Sequence, residues 1–169
     1  MSLEYGFSYI SENCIQCHAC EVACKVWRGV ESWVRLRRVE KIWQGSYPDV
    51  KNLSSSISCM HCVDAPCIDA CPGGAISKHV EDGVVVVDRD KCIGCQECLE
   101  ACPFKAPAFG ADGRMQKCDM CIDEIDFKVD SPPCVATCPT KALTFGKMNV
   151  QEKKAMEEAV KQLAGSILQ

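Results

Sequence analysis

The sequence predicts a small α+β protein in which one two-part unit is duplicated, with short hairpins and helical turns between loops and one C-terminal helix. Three observations carry this. Sixteen of the 169 residues are cysteine, and they fall into four groups of four with none left over. The groups repeat in the order A-B-A′-B′. Hydrophobic periodicity is confined to strand-sized runs until Val150, where a helical period begins.

Group one is Cys14, Cys17, Cys20 and Cys24, and group three is Cys92, Cys95, Cys98 and Cys102. Both are spaced C-x2-C-x2-C-x3-C, and Cys14-Ile15-Gln16-Cys17 aligns without gaps on Cys92-Ile93-Gly94-Cys95. Group two is Cys59, Cys62, Cys67 and Cys71, and group four is Cys118, Cys121, Cys134 and Cys138. Pro66 through Ile76 matches Pro133 through Leu143, and the two groups differ chiefly in the loop before the third cysteine. Phe7 to Ile10 and Val84 to Val87 read as strands preceding groups one and three. The second is primed by the turn Glu81-Asp82-Gly83 after His79-Val80, so short hairpins are expected between groups. Each cysteine motif supplies a loop and a turn or two of helix, as at Gln96 to Ala101. A longer helix is expected only from Val150 onward, where Met156, Val160, Leu163 and Ile167 share a face that packs on the body. The cysteine-free segment from Trp27 to Leu53, with Trp33, Trp43 and Tyr47-Pro48-Asp49, is expected to cover cluster edges with its aromatic rings, an interface being the alternative.

Composition excludes several classes. A formal charge of −4, from 19 basic and 23 acidic residues, gives no electrostatic case for nucleic acid. Arg35, Arg37, Arg38 and Lys41 read as a solvated face. No run of about eighteen apolar residues offers a membrane span. No G-x-G-x-x-G or P-loop offers a nucleotide site. The first ten residues lack the pattern of a secretory signal, so the expected location is the cytoplasm, or elsewhere only by export with a signal-bearing partner. That also disfavours sixteen cysteines spent on disulfides.

Cysteines three apart, repeated three times and followed by a fourth just before proline, suit a cubane iron–sulfur cluster. A tight loop presents three sulfurs to three corners of the cube and turns its peptide N–H groups toward the negative charge. After the fourth cysteine of groups two, three and four, Pro72, Pro103 or Pro139 pushes the backbone out of the α region, so that side chain leaves its own loop for a neighbouring cluster. Zinc is the competing metal, and group four alone would pass for a zinc ribbon. Its alignment with group two argues otherwise. His18 and His61 lie between cysteines, where contact with a sulfide or solvent is expected rather than catalysis, and His79 belongs to a hairpin. Lys25, Lys91, Lys105, Lys117 and Lys141 are the basic residues expected to ease cluster reduction.

The four motifs, including Cys14 through Trp27, Cys59-Met60-His61-Cys62 leading to Ala65-Pro66-Cys67, Asp90 through Cys95, and Cys134 through Gly146, resemble the four-cluster ferredoxin-type electron-transfer subunits of molybdenum and tungsten oxidoreductases. Dimethyl sulfoxide reductase, formate dehydrogenase and tungsten aldehyde oxidoreductase systems contain such subunits. The resemblance implies two bacterial dicluster ferredoxin-like modules holding four [4Fe–4S] clusters, and it chooses a cysteine pairing that the repeat leaves open. By that likeness Cys138 joins Cys14, Cys17 and Cys20, and Cys24 joins Cys118, Cys121 and Cys134. Cys102 joins Cys59, Cys62 and Cys67, and Cys71 joins Cys92, Cys95 and Cys98. Residues 1–56 with 103–148 would then form a split module, 57–102 an inserted one, and 149–169 a helix.

The function so implied is a non-catalytic relay of single electrons, in anaerobic metabolism, between a molybdenum or tungsten pterin catalytic subunit of aldehyde oxidoreductase or formate dehydrogenase type and a second redox protein or flavin subunit. Self-association of copies end to end is a further expectation. A hydrogenase or carbon monoxide dehydrogenase as partner, and less so a zinc-held interaction module, are the rival readings. An enzyme acting alone is disfavoured, because all sixteen cysteines are used as ligands and no cluster iron is left open.

Overall fold

The computed structural model describes the backbone of residues 3–167 and the side chains of residues 3–162. Its elements in chain order are β1 (Leu3–Tyr9), α1 (Ala19–Arg28), β2 (Arg37–Gln44), β3 (Lys51–Ser58), α2 (Pro66–Asp69), β4 (Ile76–Lys78), β5 (Val85–Val87), α3 (Glu97–Ala101), β6 (Ala108–Phe109), β7 (Met115–Gln116), α4 (Pro133–Ala136), β8 (Leu143–Asn149) and α5 (Val150–Ile167). This is a small α+β fold. Its strands form four separate antiparallel ribbons: β1 with β8, β2 with β3, β4 with β5, and β6 with β7.

In two ribbons the strand after a B group pairs with the strand before an A group. Ile76 to Lys78, after group two, faces Val85 to Val87, before group three. The hairpin turn lies where Glu81-Asp82-Gly83 places it, with Gly83 at φ +73° donating its N–H to the His79 carbonyl. Leu143 to Asn149, after group four, faces Leu3 to Tyr9, before group one. The expected strand at Phe7 to Ile10 is therefore present with its start at Leu3. Its partner is not a neighbour in sequence but the far end of the chain.

Cysteine takes the place of aliphatic side chains in the core. One buried cluster joins Phe7, Val84, Phe104, Met120 and Leu143 to Cys59, Cys102, Cys118 and Cys134. A second joins Ile76, Val85 and Met115 to Cys98. Tyr5, Phe7, Phe127 and Phe145 stack or tilt against one another with centroids 4.6 to 5.4 Å apart and close the β1–β8 end.

Several expectations need correction. A ten-residue helix, α1, carries Cys20 and Cys24 of group one where only a turn or two was expected. The cause is local: Cys24 is followed by Lys25 rather than proline, so the helix runs on to Gly29, which caps it in the left-handed region at φ +57°. The Trp27–Leu53 segment contains β2 and the first three residues of β3, which pair along eight residues each. Its aromatic side chains Trp27, Trp33, Trp43 and Tyr47 are all exposed, Tyr47 by 92%, and Trp27 lines a cleft with Ala23, Pro133 and Thr137. Of the basic group, Arg35 and Lys41 are exposed as expected and Arg38 is half-buried, but Arg37 is only 2% exposed and shares the inward side of β2 with Val39.

The C-terminal helix starts at Val150 as expected. Asn149 and Glu152 form a reciprocal capping box, each side chain accepting the other's backbone N–H at 2.9 Å. On its inner face Met156 and Val160 are half-buried, Val160 against the larger core cluster. The most deeply buried position there is instead Lys153, whose ammonium pairs with Glu4 at 2.7 Å. Leu163 and Ile167 lie outside the described side chains. Among the described residues no helix is long and apolar enough to cross a membrane.

Candidate iron–sulfur centres

Left-handed backbone conformations shape the cysteine loops. Gln16 and His18 in group one have φ of +56° and +59°, and Gly94 and Gln96 occupy the same offsets in group three at +71° and +67°. His61 at +49° and Met120 at +59° stand at the first of these offsets in groups two and four, and Cys121 beside Met120 is left-handed too, at +57°. A side-chain-bearing residue gives up about 1–2 kcal/mol to stand there. The return is that peptide N–H groups face sulfur: Gln16 N lies 3.4 Å from Cys14 Sγ, and Met120 N lies 3.5 Å from Cys118 Sγ.

The fourth cysteines share a second device. In Cys71-Pro72-Gly73-Gly74, Cys102-Pro103-Phe104-Lys105 and Cys138-Pro139-Thr140-Lys141 the last residue is left-handed, at +57°, +45° and +52°, and returns its N–H to the cysteine carbonyl. Cys102 itself is extended, at φ −83° and ψ 116°, as the following proline requires. The next residue is alanine in all three turns, buried, and its N–H points at the cysteine sulfur: Ala75 to Cys71 at 3.3 Å, Ala106 to Cys102, Ala142 to Cys138. Burial opposes ionisation of the Cys138 thiol, but the Leu143 N–H, the Thr140 hydroxyl and the N–H groups of Ala142 and Thr140 together hold it below its ordinary pKa.

The sixteen sulfurs gather in four sets. Cys14, Cys17, Cys20 and Cys138 line one void, beside Tyr9, Ser56 and Thr140. Cys71, Cys92, Cys95 and Cys98 line another, beside Ile76 and Met115, with Met115 N 3.3 Å from Cys92 Sγ. Cys24, Cys118, Cys121 and Cys134 lie within electrostatic reach of one another, and so do Cys59, Cys62, Cys67 and Cys102. Burial first, and neighbouring negative charge second, pushes the thiols of Cys24, Cys67 and Cys98 up to about 11 and those of Cys62 and Cys121 up to about 12. Four thiolates so close together call for a positive core between them. Among the described residues no three His, Cys, Asp or Glu side chains converge as ligands of a single metal ion would. The donor set, four thiols about a common space with N–H groups turned to sulfur, fits a [4Fe–4S] cube.

The residues singled out from sequence divide in two. His61 is fully buried, with Nδ1 accepting the Val85 N–H at 2.9 Å and Nε2 without a partner. His18 caps the start of α1 and contacts Glu21, and His79 forms part of the β4–β5 turn. Lys117 is buried and donates to the carbonyls of Val85 and Cys118. Lys25 spends its ammonium on the carbonyls of Glu31, Ser32 and Val34, while Lys91 and Lys105 pair with Asp88 and Glu100 at the surface. Lys141 contributes its backbone, in the turn after Cys138. Sequence reading missed Arg37 and Ser56, whose hydroxyl lies 3.6 Å from Cys20 Sγ. The only signal for Arg37 was its two-residue step from Val39.

Known proteins share these motifs. Over 101 residues the sequence is 41% identical to the B polypeptide of the anaerobic dimethyl sulfoxide reductase of Escherichia coli (strain K12), covering 55% of this protein and 49% of that one. It is 37% identical over 95 residues to one of the subunits of sulfite dehydrogenase from Allochromatium vinosum, 47% of this protein and 40% of the relative. To protein NrfC of Escherichia coli (strain K12) it is 40% identical over 92 residues, 54% and 41% of the two proteins. The match thus spans at most half the length of these relatives. The 4Fe-4S binding domain model matches residues 11–27, which hold group one up to Cys24. The 4Fe-4S dicluster domain model matches residues 50–148, which hold the other three groups. With sixteen cysteines in four such groups and more than half its length matched, the chain carries [4Fe–4S] clusters and belongs to the 4Fe-4S dicluster domain family.

Proposed function

We propose that this chain relays single electrons through four [4Fe–4S] clusters between a molybdenum or tungsten pterin catalytic subunit and a second redox partner. The observation that carries the reading is the exchange of cysteines between sets. On α1, Cys20 belongs to one set and Cys24, one turn later, to the next. Cys67 and Cys71, and likewise Cys98 and Cys102, split in the same way between the other two sets. Cys59 and Cys102 share a core with Cys118 and Cys134, which joins the two pairs. The sets thereby form a line, from Cys14, Cys17, Cys20 and Cys138 at one end to Cys71, Cys92, Cys95 and Cys98 at the other. Both end sets include an exposed cysteine, Cys17 and Cys95, where electrons would enter and leave.

A bound [4Fe–4S] cluster supplies one-electron carriage. The chain's own part is to hold sulfur donors, exclude water with Phe7, Phe104, Met115 and Met120, and aim N–H groups at sulfur. In this reading the protein is two ferredoxin-like modules related by duplication, residues 57–102 inserted within 1–56 and 103–148. The matching strand pairs, β4 with β5 and β8 with β1, support it. The relatives' names, which assign them to dimethyl sulfoxide reductase and sulfite dehydrogenase, support a pterin enzyme as partner. Trp27, Trp33, Trp43 and Tyr47 offer exposed aromatic surface for docking. The reading places the complex in the cytoplasm or exports it with a signal-bearing partner.

The test is anaerobic purification of the native complex with metal and acid-labile sulfide analysis. About sixteen iron and sixteen sulfide per chain are expected, together with a co-purifying large pterin subunit. Colourless protein containing zinc would favour the interaction module instead, and a hydrogenase or carbon monoxide dehydrogenase in the preparation would replace the partner.

A further inference from the structure

Arg37 enters the interior from β2 with no carboxylate to meet it. Its side chain is 2% exposed, and its guanidinium carbon lies 4.3 Å from the centre of the Phe7 ring. Nη1 donates to the Ser56 hydroxyl at 3.1 Å and to the Ser56 carbonyl at 3.4 Å. Nε and Nη2 are buried and have no partner. No carboxylate forms an ion pair with it among the described residues, whereas Arg28, Arg35, Arg38, Arg89 and Arg114 all have one.

Burying a guanidinium this way costs several kcal/mol unless a negative group lies close by. The negative groups that face it are cysteines: Cys134, Cys118 and Cys24 of one set and Cys20 of the adjacent set, and they favour its charged form. Ser56 continues the contact, since its hydroxyl lies 3.6 Å from Cys20 Sγ as well as 3.1 Å from Arg37. The cation therefore stands at the junction of two sets, and its two free N–H directions are the donors that sulfur atoms there would accept.

We propose that Arg37 is a potential-setting residue: its Nε and Nη2 donate to sulfur at the junction of the Cys14/Cys17/Cys20/Cys138 and Cys24/Cys118/Cys121/Cys134 sets, and its fixed charge makes both clusters easier to reduce. This rests on the four-cluster reading above. Each reduction takes one electron, from dithionite in the experiment, changes the core from 2+ to 1+, and breaks no bond. The added negative charge is stabilised by a cation that does not deprotonate, because arginine keeps its proton at every working pH.

The experiment is an anaerobic redox titration followed by electron paramagnetic resonance on wild-type, Arg37→Met and Arg37→Lys proteins, each with its iron content measured. Signals are assigned with Cys138→Ser and Cys24→Ser. In Arg37→Met with full iron, the reduction equilibrium constants of the two junction clusters should fall at least about tenfold, about 59 mV for one electron. The other two clusters should stay unchanged, and Arg37→Lys, which keeps the charge, should recover most of the shift. Unchanged junction potentials, or four potentials moving together, would overturn the proposal. Loss of iron in both variants would also overturn it, making Arg37 a structural counter-ion. A wild-type iron content short of four cubes would sink the four-cluster reading itself, whatever happens at position 37.

Discussion

Glu4 of β1 holds two lysines from distant parts of the chain. Its Oε2 pairs with Lys153 of α5 at 2.7 Å, and its Oε1 pairs with Lys78 of β4 at 2.9 Å. Lys78 also donates to the carbonyls of Cys62 and Val63, so the same carboxylate steadies the group-two loop. Lys153 is 2% exposed, and Glu4 is its only ion-pair partner among the described residues. Glu4→Gln would leave that ammonium buried with only the more distant Glu157 to offset it. Breaking a buried pair from one side costs about 3–5 kcal/mol, and the lower end applies here because Glu157 and residual solvent give partial relief.

Among the described residues α5 meets the body through this pair, through Lys154 with Asp64 at 2.8 Å, through the Val63 N–H donating to Glu157 at 2.9 Å and through Val160, so the loss should appear as local opening of the helix rather than global unfolding. About 3 kcal/mol is on the order of a hundredfold in an opening equilibrium, at about 1.4 kcal/mol per factor of ten. Hydrogen exchange on the anaerobic, cluster-loaded protein should therefore show the α5 amides exchanging about a hundredfold faster in Glu4→Gln, with the core ribbons unchanged. Lys153→Met should cost less, because Glu4 keeps Lys78, and Glu4→Gln with Lys153→Met should recover much of the protection, since no unpaired charge remains. Wild-type exchange in Glu4→Gln, or a double variant as damaged as the sum of the singles, would refute the reasoning.

The pH dependence follows from the same carboxylate. Burial opposes ionisation, but the two lysines outweigh it and hold Glu4 below its ordinary 4.5, so its stabilisation is complete above pH 4.5 and is lost only as pH falls through the lower folded value. The exchange difference between wild-type and Glu4→Gln should stay constant from about pH 5 to 8, and a difference that grows across that window would contradict the assignment. Cys102→Ser should alter the resonance signal of the cluster read as held by Cys59, Cys62 and Cys67, not that of its own loop, and the reverse result would exclude the crossed pairing. Gly94→Ala places a Cβ 2.5 Å from the Gly113 carbonyl oxygen at φ +71°, so iron should drop in the Cys71/Cys92/Cys95/Cys98 set while the other sets stay loaded; full occupancy would show that the loop yields. Trp43→Ser with Tyr47→Ser should leave iron content unchanged and weaken co-purification of the pterin subunit, and undiminished binding would remove the β2–β3 tip from the interface.

The cysteine spacing carried much of the site because its constraints are local. A Cys-Pro step makes its own turn within four residues, and Pro72, Pro103 and Pro139 make recognisably the same one. The β4–β5 hairpin and the start of α5 were legible for the same reason: Gly83 supplies the turn, and Asn149 with Glu152 supplies the cap. What was not legible depends on residues far apart in sequence. β1 reads as a strand from its own residues, but its partner lies at the other end of the chain, which no local pattern names. Arg37 reads as one of four surface cations until β3 brings Ser56 beside it and α1 brings Cys20 and Cys24. A charge pattern assigns such residues to solvent because that is the cheapest place for an isolated cation. The assignment fails where negatively charged sulfur lies in the interior, because there the cheapest place for one arginine is among the cysteines. Lys153 departs from the apolar pattern of its helix face for a related reason, since Glu4 waits for it on a strand nearly 150 residues away. In a protein whose core is built on thiolates, buried cations are part of the packing, and hydrophobic periodicity alone underestimates what lies inside.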